Sequence, residues 1–182
     1  MTDPRPEASP ERSHTPPQER GLYSVAQIQH LLRIEFARAQ RYSYPLACML
    51  LAVDQLEALR DRHGYEFKEQ VIERLVDLLK RATRSSDFIG RTADDRLALL
   101  LPHTPPQGAR ALAARLIENS GVLSAELGGQ VARVSVSIGL CALEGEGALF
   151  HDALYRQAEL ALEEAIAAGG GRLQLRPLGG QG

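Results

Sequence analysis

Leu46 to Val53, LACMLLAV, is the longest apolar run in the chain, and its eight residues fall far short of the roughly 20 needed to cross a bilayer. Its length is that of a strand. No polar residue interrupts it, so it reads as a central strand, covered on both faces or along its most buried stretch. A chain of 182 residues that is 44% hydrophobic and 24% charged can supply that cover from one core, without disulfides or structural metal. The length suits one ordinary domain plus a tail and leaves little room for a second.

The remaining pattern alternates helical and extended segments. Ser24 and Gln27 are spaced for a capping box, and Val25, Ile28, Leu32, Phe36 and Ala39 recur at helical steps, predicting a helix to about Arg41. After the apolar strand comes a polar stretch with Asp54, Asp61 and Gly64. The stripe Phe67, Val71, Leu75, Leu79, Ala82 then predicts a second helix over 67–82. Two short apolar runs, Phe88-Ile89 and 97–101, flank RTADDR and predict a hairpin. Thr104-Pro105-Pro106-Gln107 predicts a helix start with Thr104 as its hydroxyl N-cap, ending near Ser120-Gly121. VSVSIGLC, residues 134–141, alternates Val, Val, Ile, Leu with Ser, Ser, Gly, Cys, predicting a strand covered on its apolar face. A helix over 150–166, a stop at the glycines 169–171 and a short strand in RLQLR complete the order. This is an α+β domain, with helices packed on a mostly antiparallel sheet.

Residues 1–20 hold five of the ten prolines and almost no large apolar side chains, so a disordered tail is expected there, with a flexible C-terminus over 177–182. The tail has no apolar core of the kind a secretory signal needs, so the chain reads as cytoplasmic and without a membrane span. Lys and Arg number 21 against 23 Asp and Glu, a net charge of −2, which offers no general attraction to nucleic acid or anionic lipid. Cys48 and Cys141 sit in apolar strand segments and read as buried free thiols. The five histidines, 14, 30, 63, 103 and 151, show no metal-ligand spacing, and no phosphate-binding loop or nucleophile elbow occurs. No cofactor and no metal are expected.

Four segments in order, RAQRYSYPLACMLLAVDQLEALRDRHG, IGRTADDRLALLLP, VSVSIGL and AELALEEAIAAGGGRLQL, resemble the landmarks of the GGDEF domain, the diguanylate cyclase family. The resemblance covers about residues 21–176. It implies a fold similar to nucleotide-cyclase and polymerase palm domains, with the signature at a hairpin tip. It also implies what a cyclase of this family would place at each position. Of two metal-binding carboxylates, the first falls on Ala52, while Asp54 retains only the second acid of the D-x-D pattern. The signature itself reads Ala93-Asp94-Asp95-Arg96-Leu97, which keeps the metal acid as Asp95 but replaces both glycines and puts Arg96 where an acid is expected. Guanine recognition falls on Arg60, just before Asp61, and on Glu69; the phosphate-binding lysine and arginine fall on Ile166 and Gly170. Parts of the metal, base and phosphate contacts are missing together, so the chain resembles a degenerate member with no catalytic residues and no cyclase activity. Asp54 and Asp95 are the pair left to hold a single metal, the plainer reading being surface carboxylates.

One family site matches more fully. The resemblance implies a product-inhibition site, R-x-x-D, five residues ahead of the signature, where Arg84-Ser85-Ser86-Asp87 stands, and a second arginine that falls on Arg115. Arginine forks donate twice to guanine O6 and N7, a carboxylate accepts from its N1 and N2 hydrogens, and guanidinium planes stack on purines, which suits cyclic di-GMP. The spacing alone is weak. With 19 Arg and 8 Asp it arises by chance, and it recurs at Arg74 to Asp77 within a helix and at Arg91 to Asp94 in the hairpin. Placement singles out Arg84, Asp87 and Arg115, the plain alternative being a solvated pair at a helix end. The leading expectation is a catalytically inactive receptor of cyclic di-GMP that signals to a protein partner, with a homodimer as one form of that partnership. A ligand-free interaction or dimerisation module is the alternative, followed by a GTP sensor or residual cyclase.

Overall fold

The structure is a computed structural model that describes residues 21–121, 125–127, 130–143 and 150–178. Its elements run α1 (Val25–Tyr42), β1 (Leu46–Val53), α2 (Leu56–His63), α3 (Tyr65–Ala82), β2 (Phe88–Arg91), β3 (Leu97–Pro102), α4 (Pro106–Ser120), β4 (Ala125–Leu127), β5 (Gln130–Ala132), β6 (Val136–Leu143), α5 (His151–Ala167) and β7 (Leu173–Pro177). Five strands form one sheet in the order β2-β3-β1-β6-β7, while β4 and β5 pair as a separate ribbon. Every pairing in the main sheet is antiparallel except β6 with β7. The expected α+β architecture is the one observed, and residues 1–20, the expected tail, lie outside the described residues.

The apolar run is β1, the middle strand. Its side chains alternate between two cores: Ala47, Met49, Leu51 and Val53 meet α3 and α4, and Leu46, Cys48 and Leu50 meet α1 and α5. A strand with helices on both faces has no solvated side, which is why its sequence shows no alternation. Each fully buried leucine in it contributes about 1.5–3 kcal/mol of apolar burial.

β6 departs from its expected one-sided cover. Its apolar residues Val136, Ile138 and Leu140 join the α3 and α4 core, but Ser137 and Cys141 on the opposite side are also fully buried. Helix α5 lies on that side so closely that a Cβ on Gly139 would stand 2.1 Å from the Ala158 carbonyl and 2.3 Å from the Leu162 nitrogen. The small residues mark a helix approaching the backbone rather than an open face.

The α1 start is capped as expected, with the Ser24 hydroxyl accepting from the Gln27 amide and Gln27 Oε1 accepting from the Ser24 amide at 2.8 Å. The α4 start is not. Pro105 takes the N-cap position with no side-chain cap, and the Thr104 hydroxyl donates to the Pro102 carbonyl instead, because two prolines in succession fix the chain before the helix begins. The polar stretch after β1 forms the short helix α2, which the sequence pattern does not announce because only Leu56 in it is buried. Pro177 closes β7 and Leu178 packs against the α1 and α5 core, while residues 179–182 lie outside the described residues.

Candidate functional site

Antiparallel pairing sets two separate regions of charge. Leu51 of β1 pairs with Leu97 of β3, so the end of β1, with Asp54, lies at the same edge of the sheet as the turn 92–96 between β2 and β3. The turn is closed locally: the Thr92 amide donates to the Arg96 carbonyl at 2.9 Å and the Arg96 amide to the Thr92 hydroxyl at 3.0 Å. Its one left-handed residue is Asp95, at φ 61°, so Ala93 and Asp94 carry side chains where no left-handed backbone is required.

Asp54 is hydrogen-bonded to neighbouring elements of the fold. Its Oδ1 accepts from the Ser137 hydroxyl at 2.6 Å, and its Oδ2 accepts from the Ser135 hydroxyl at 2.7 Å and the Gly171 amide at 2.8 Å. The carboxylate thereby anchors the turn 169–171, whose three glycines all have positive φ. At Gly170 a Cβ would lie 2.7 Å from Asp54 Oδ1, so this position has no room for a side chain beside the acid.

Asp95 is engaged with two cations. Lys68 from α3 forms an ion pair with its Oδ2, and Arg91 donates to its Oδ1 through Nε at 3.0 Å and through Nη2. The same guanidinium makes a two-pronged contact with Glu69, at 2.9 and 3.1 Å. Burial works to raise the Asp95 carboxyl, but the hydrogen bonds from Lys68 and Arg91 outweigh it and hold the group below the usual carboxylate range. Arg91 holds Glu69 down in the same way, against a smaller desolvation. Lys68 is raised, first by its bond to Asp95. Arg96 pairs with Asp94 at 2.9 Å and with Glu163 at 2.6 Å, and Arg60 pairs with Glu57 and Asp61. The resemblance singled out Asp54, Asp95 and Glu69 but not Lys68, which follows Phe67 on a helix and carries no local signal of its partner.

The second region lies between α3 and β2. The Arg84 amide donates to Asp87 Oδ2 at 2.7 Å and the Asp87 amide to the Arg84 carbonyl at 3.2 Å, a tight turn that fixes the two residues relative to each other. The Arg84 side chain is exposed. Arg115 is also exposed, on α4, which packs against α3. Among the described residues neither guanidinium takes part in an ion pair. The chance copies fall where expected, Arg74 and Asp77 within α3 and Arg91 and Asp94 at the hairpin.

This order of elements, with the signature segment at a hairpin tip, matches a known domain: residues 20–172 fit the family model described as diguanylate cyclase, GGDEF domain. The chain belongs to the GGDEF domain family. A curated relative of this GGDEF domain, the probable diguanylate cyclase DgcC of Escherichia coli strain K12, is 26% identical over 155 residues, which is 85% of this chain and 41% of that protein. The chain thus spans less than half of that relative's length. Among solved structures, the diguanylate cyclase SiaD of Pseudomonas aeruginosa, in complex with its activator SiaC, superposes with a TM-score of 0.79 at 23% identity, covering 86% of this chain and 60% of that one. The coiled coil and GGDEF domain of DgcB from Caulobacter crescentus, in complex with c-di-GMP, gives 0.78 at 16% identity, covering 86% and 83%. At these identities the superpositions speak for the fold alone. No helix among the described residues is long and apolar enough to cross a membrane.

Proposed function

We propose that this GGDEF domain is catalytically inactive and serves as a receptor of cyclic di-GMP, bound through Arg84, Asp87 and Arg115, that passes the signal to a protein partner. The observation that carries the reading is the contrast between the two regions: Arg84 and Arg115 present open guanidiniums, whereas Asp54 and Asp95 are already engaged within the protein. Two-metal phosphoryl transfer needs carboxylate oxygens free to coordinate Mg²⁺. Ala52 has none, and both oxygens of Asp95 face cations. The residues present do not fit the metal ions that the family's chemistry implies. Triphosphate binding is equally unsupported: Ile166 is apolar and Gly170 lies against Asp54.

The receptor half of the reading draws on the turn that holds Asp87 beside Arg84, and on guanine's complementarity to an arginine fork and a carboxylate. The DgcB domain in complex with c-di-GMP and the SiaD cyclase in complex with an activator protein supply precedent within the fold for ligand and for partner. A ligand dimer presents bases on more than one side, so it can join this site to a second copy of the chain or to a partner. Calorimetric titration tests the proposal. Cyclic di-GMP should bind and GTP should not, and incubation with GTP and Mg²⁺ or Mn²⁺ should yield no cyclic di-GMP. Turnover of GTP overturns the inactivity; absence of cyclic di-GMP binding leaves an interaction module with no ligand.

A further inference from the structure

We infer that the Lys68 ammonium is a resident cation of the hairpin-tip site: it occupies the place at Asp95 that a divalent metal would take, fastens the hairpin to α3 and closes the site to metal. The inference deepens the inactive reading above and rests on it only for the position of Asp95 in the family's pattern.

Three observations support it. Lys68 is a buried lysine, its side chain 9% exposed and its partner Asp95 17% exposed, so this is not one of the solvent-screened pairs common on protein surfaces. A lysine removed from water to that extent needs an anion, and Asp95 is the anion it meets. The charges also balance without any ion. Lys68 and Arg91 face Asp95 and Glu69, two positive groups against two negative, with each oxygen of Asp95 on a different cation and both oxygens of Glu69 on Arg91. A divalent ion entering this cluster would have to displace an ammonium that the helix backbone holds in place, and a tethered group competes at high effective concentration. Finally, the ammonium is supported from another side, 5.6 Å from the centre of the Tyr65 ring.

The result is an ion-pair network that ties two elements far apart in sequence. Lys68 and Glu69 are consecutive residues of α3, Arg91 ends β2 and Asp95 lies in the hairpin turn, so the four side chains form a clasp between helix and hairpin.

Thermal unfolding and Mn²⁺ binding of the full chain test this, with Mn²⁺ as the probe and its free-ion paramagnetic signal as the direct readout. The wild type should leave millimolar Mn²⁺ free and show no metal-dependent rise in Tm beyond that of Asp95→Asn. Lys68→Met, which keeps the apolar stem and removes the charge, should melt lower without metal. It should also bind Mn²⁺ at least tenfold more tightly than the wild type and recover part of its Tm on adding the ion. Lys68→Arg, which keeps the charge, should stay insensitive to metal. Two results overturn the inference: Mn²⁺ binding by the wild type that Asp95→Asn abolishes, or a folded Lys68→Met variant as insensitive to metal as the wild type. The first needs no Lys68 variant, so a failure of Lys68→Met to fold does not shield the proposal. Cyclic di-GMP binding through Arg84 is read separately, and its presence or absence leaves both outcomes interpretable.

Discussion

The hairpin tip and the Arg84 turn carry similar residues, arginines and aspartates within hydrogen-bonding reach, yet they differ in what those residues already do. At the tip, Arg91 bonds both Glu69 and Asp95, Lys68 bonds Asp95, and Arg96 bonds Asp94 and Glu163. At the turn, the aspartate binds a backbone amide and the arginine side chains extend into solvent. A charged group already paired inside the protein must give up that partner to take a ligand, whereas an exposed guanidinium gives up only water. Sequence spacing cannot separate the two cases. The R-x-x-D pattern is present at Arg91 as well as at Arg84, yet the Arg91 guanidinium is taken up by Glu69 and Asp95 while that of Arg84 is exposed.

The largest effect that tests this contrast is on ligand binding. A two-pronged arginine contact to guanine is worth roughly 1–3 kcal/mol, so Arg84→Ala should weaken cyclic di-GMP about tenfold or more by calorimetry. Asp87→Ala should also weaken it, through the base and through the lost turn, and Arg115→Ala should cost less. Arg74→Ala and Asp77→Ala, the copy on α3, should change little; equal losses at Arg74 and Arg84 would erase the distinction. The next effect concerns the turn that Asp54 anchors. Gly170→Ala forces a side chain into a left-handed residue at φ 74° and against Asp54, and should destabilise by about 1–2 kcal/mol in denaturant unfolding. An arginine at this position should be no better tolerated and should not confer cyclase activity.

Smaller still is the charge of Glu69. Glu69→Gln should cost on the order of 1 kcal/mol at neutral pH, by weakening a charge-assisted contact that is about a quarter exposed. The sign follows from the lowered carboxyl. Its contribution is complete above the unfolded value near pH 4.3 and is lost as pH falls through the lower folded value, so the difference between wild type and Glu69→Gln should shrink below about pH 4. A difference that grows in acid would show that Arg91 does not hold this carboxylate. Removing residues 1–20 should move Tm least of all, because a segment with five prolines and few large apolar residues has little to bury.

Local patterns were legible where local physics decides. The Ser24 and Gln27 box, the α3 stripe from Phe67 to Leu79 and the unbroken apolar run of β1 each express a single element's own geometry, and the structure keeps them all. The resemblance named Arg84 and Asp87 by their spacing ahead of the signature; that they share one tight turn is a finding of the structure. The resemblance also named Asp54 and Asp95 as the carboxylates of interest. It did not show what engages them. Thr104 was misread as a cap because two following prolines fix the chain in a way that local hydroxyl preference does not register.

The sequence by itself therefore determined the order of the five sheet strands and the four long helices, the middle strand and the family, because helical and strand periods are written in residues a few positions apart. It missed α2 and the β4-β5 ribbon. Only the tertiary structure decided that Asp54 anchors Gly171, 117 residues away, that the Ser137 and Gly139 side of β6 is covered by α5, and that Lys68 reaches Asp95 from another element. Those contacts join segments that no local period relates. They become neighbours only when the strands pair and the helices close over the sheet, and burial then requires each charge to find its partner.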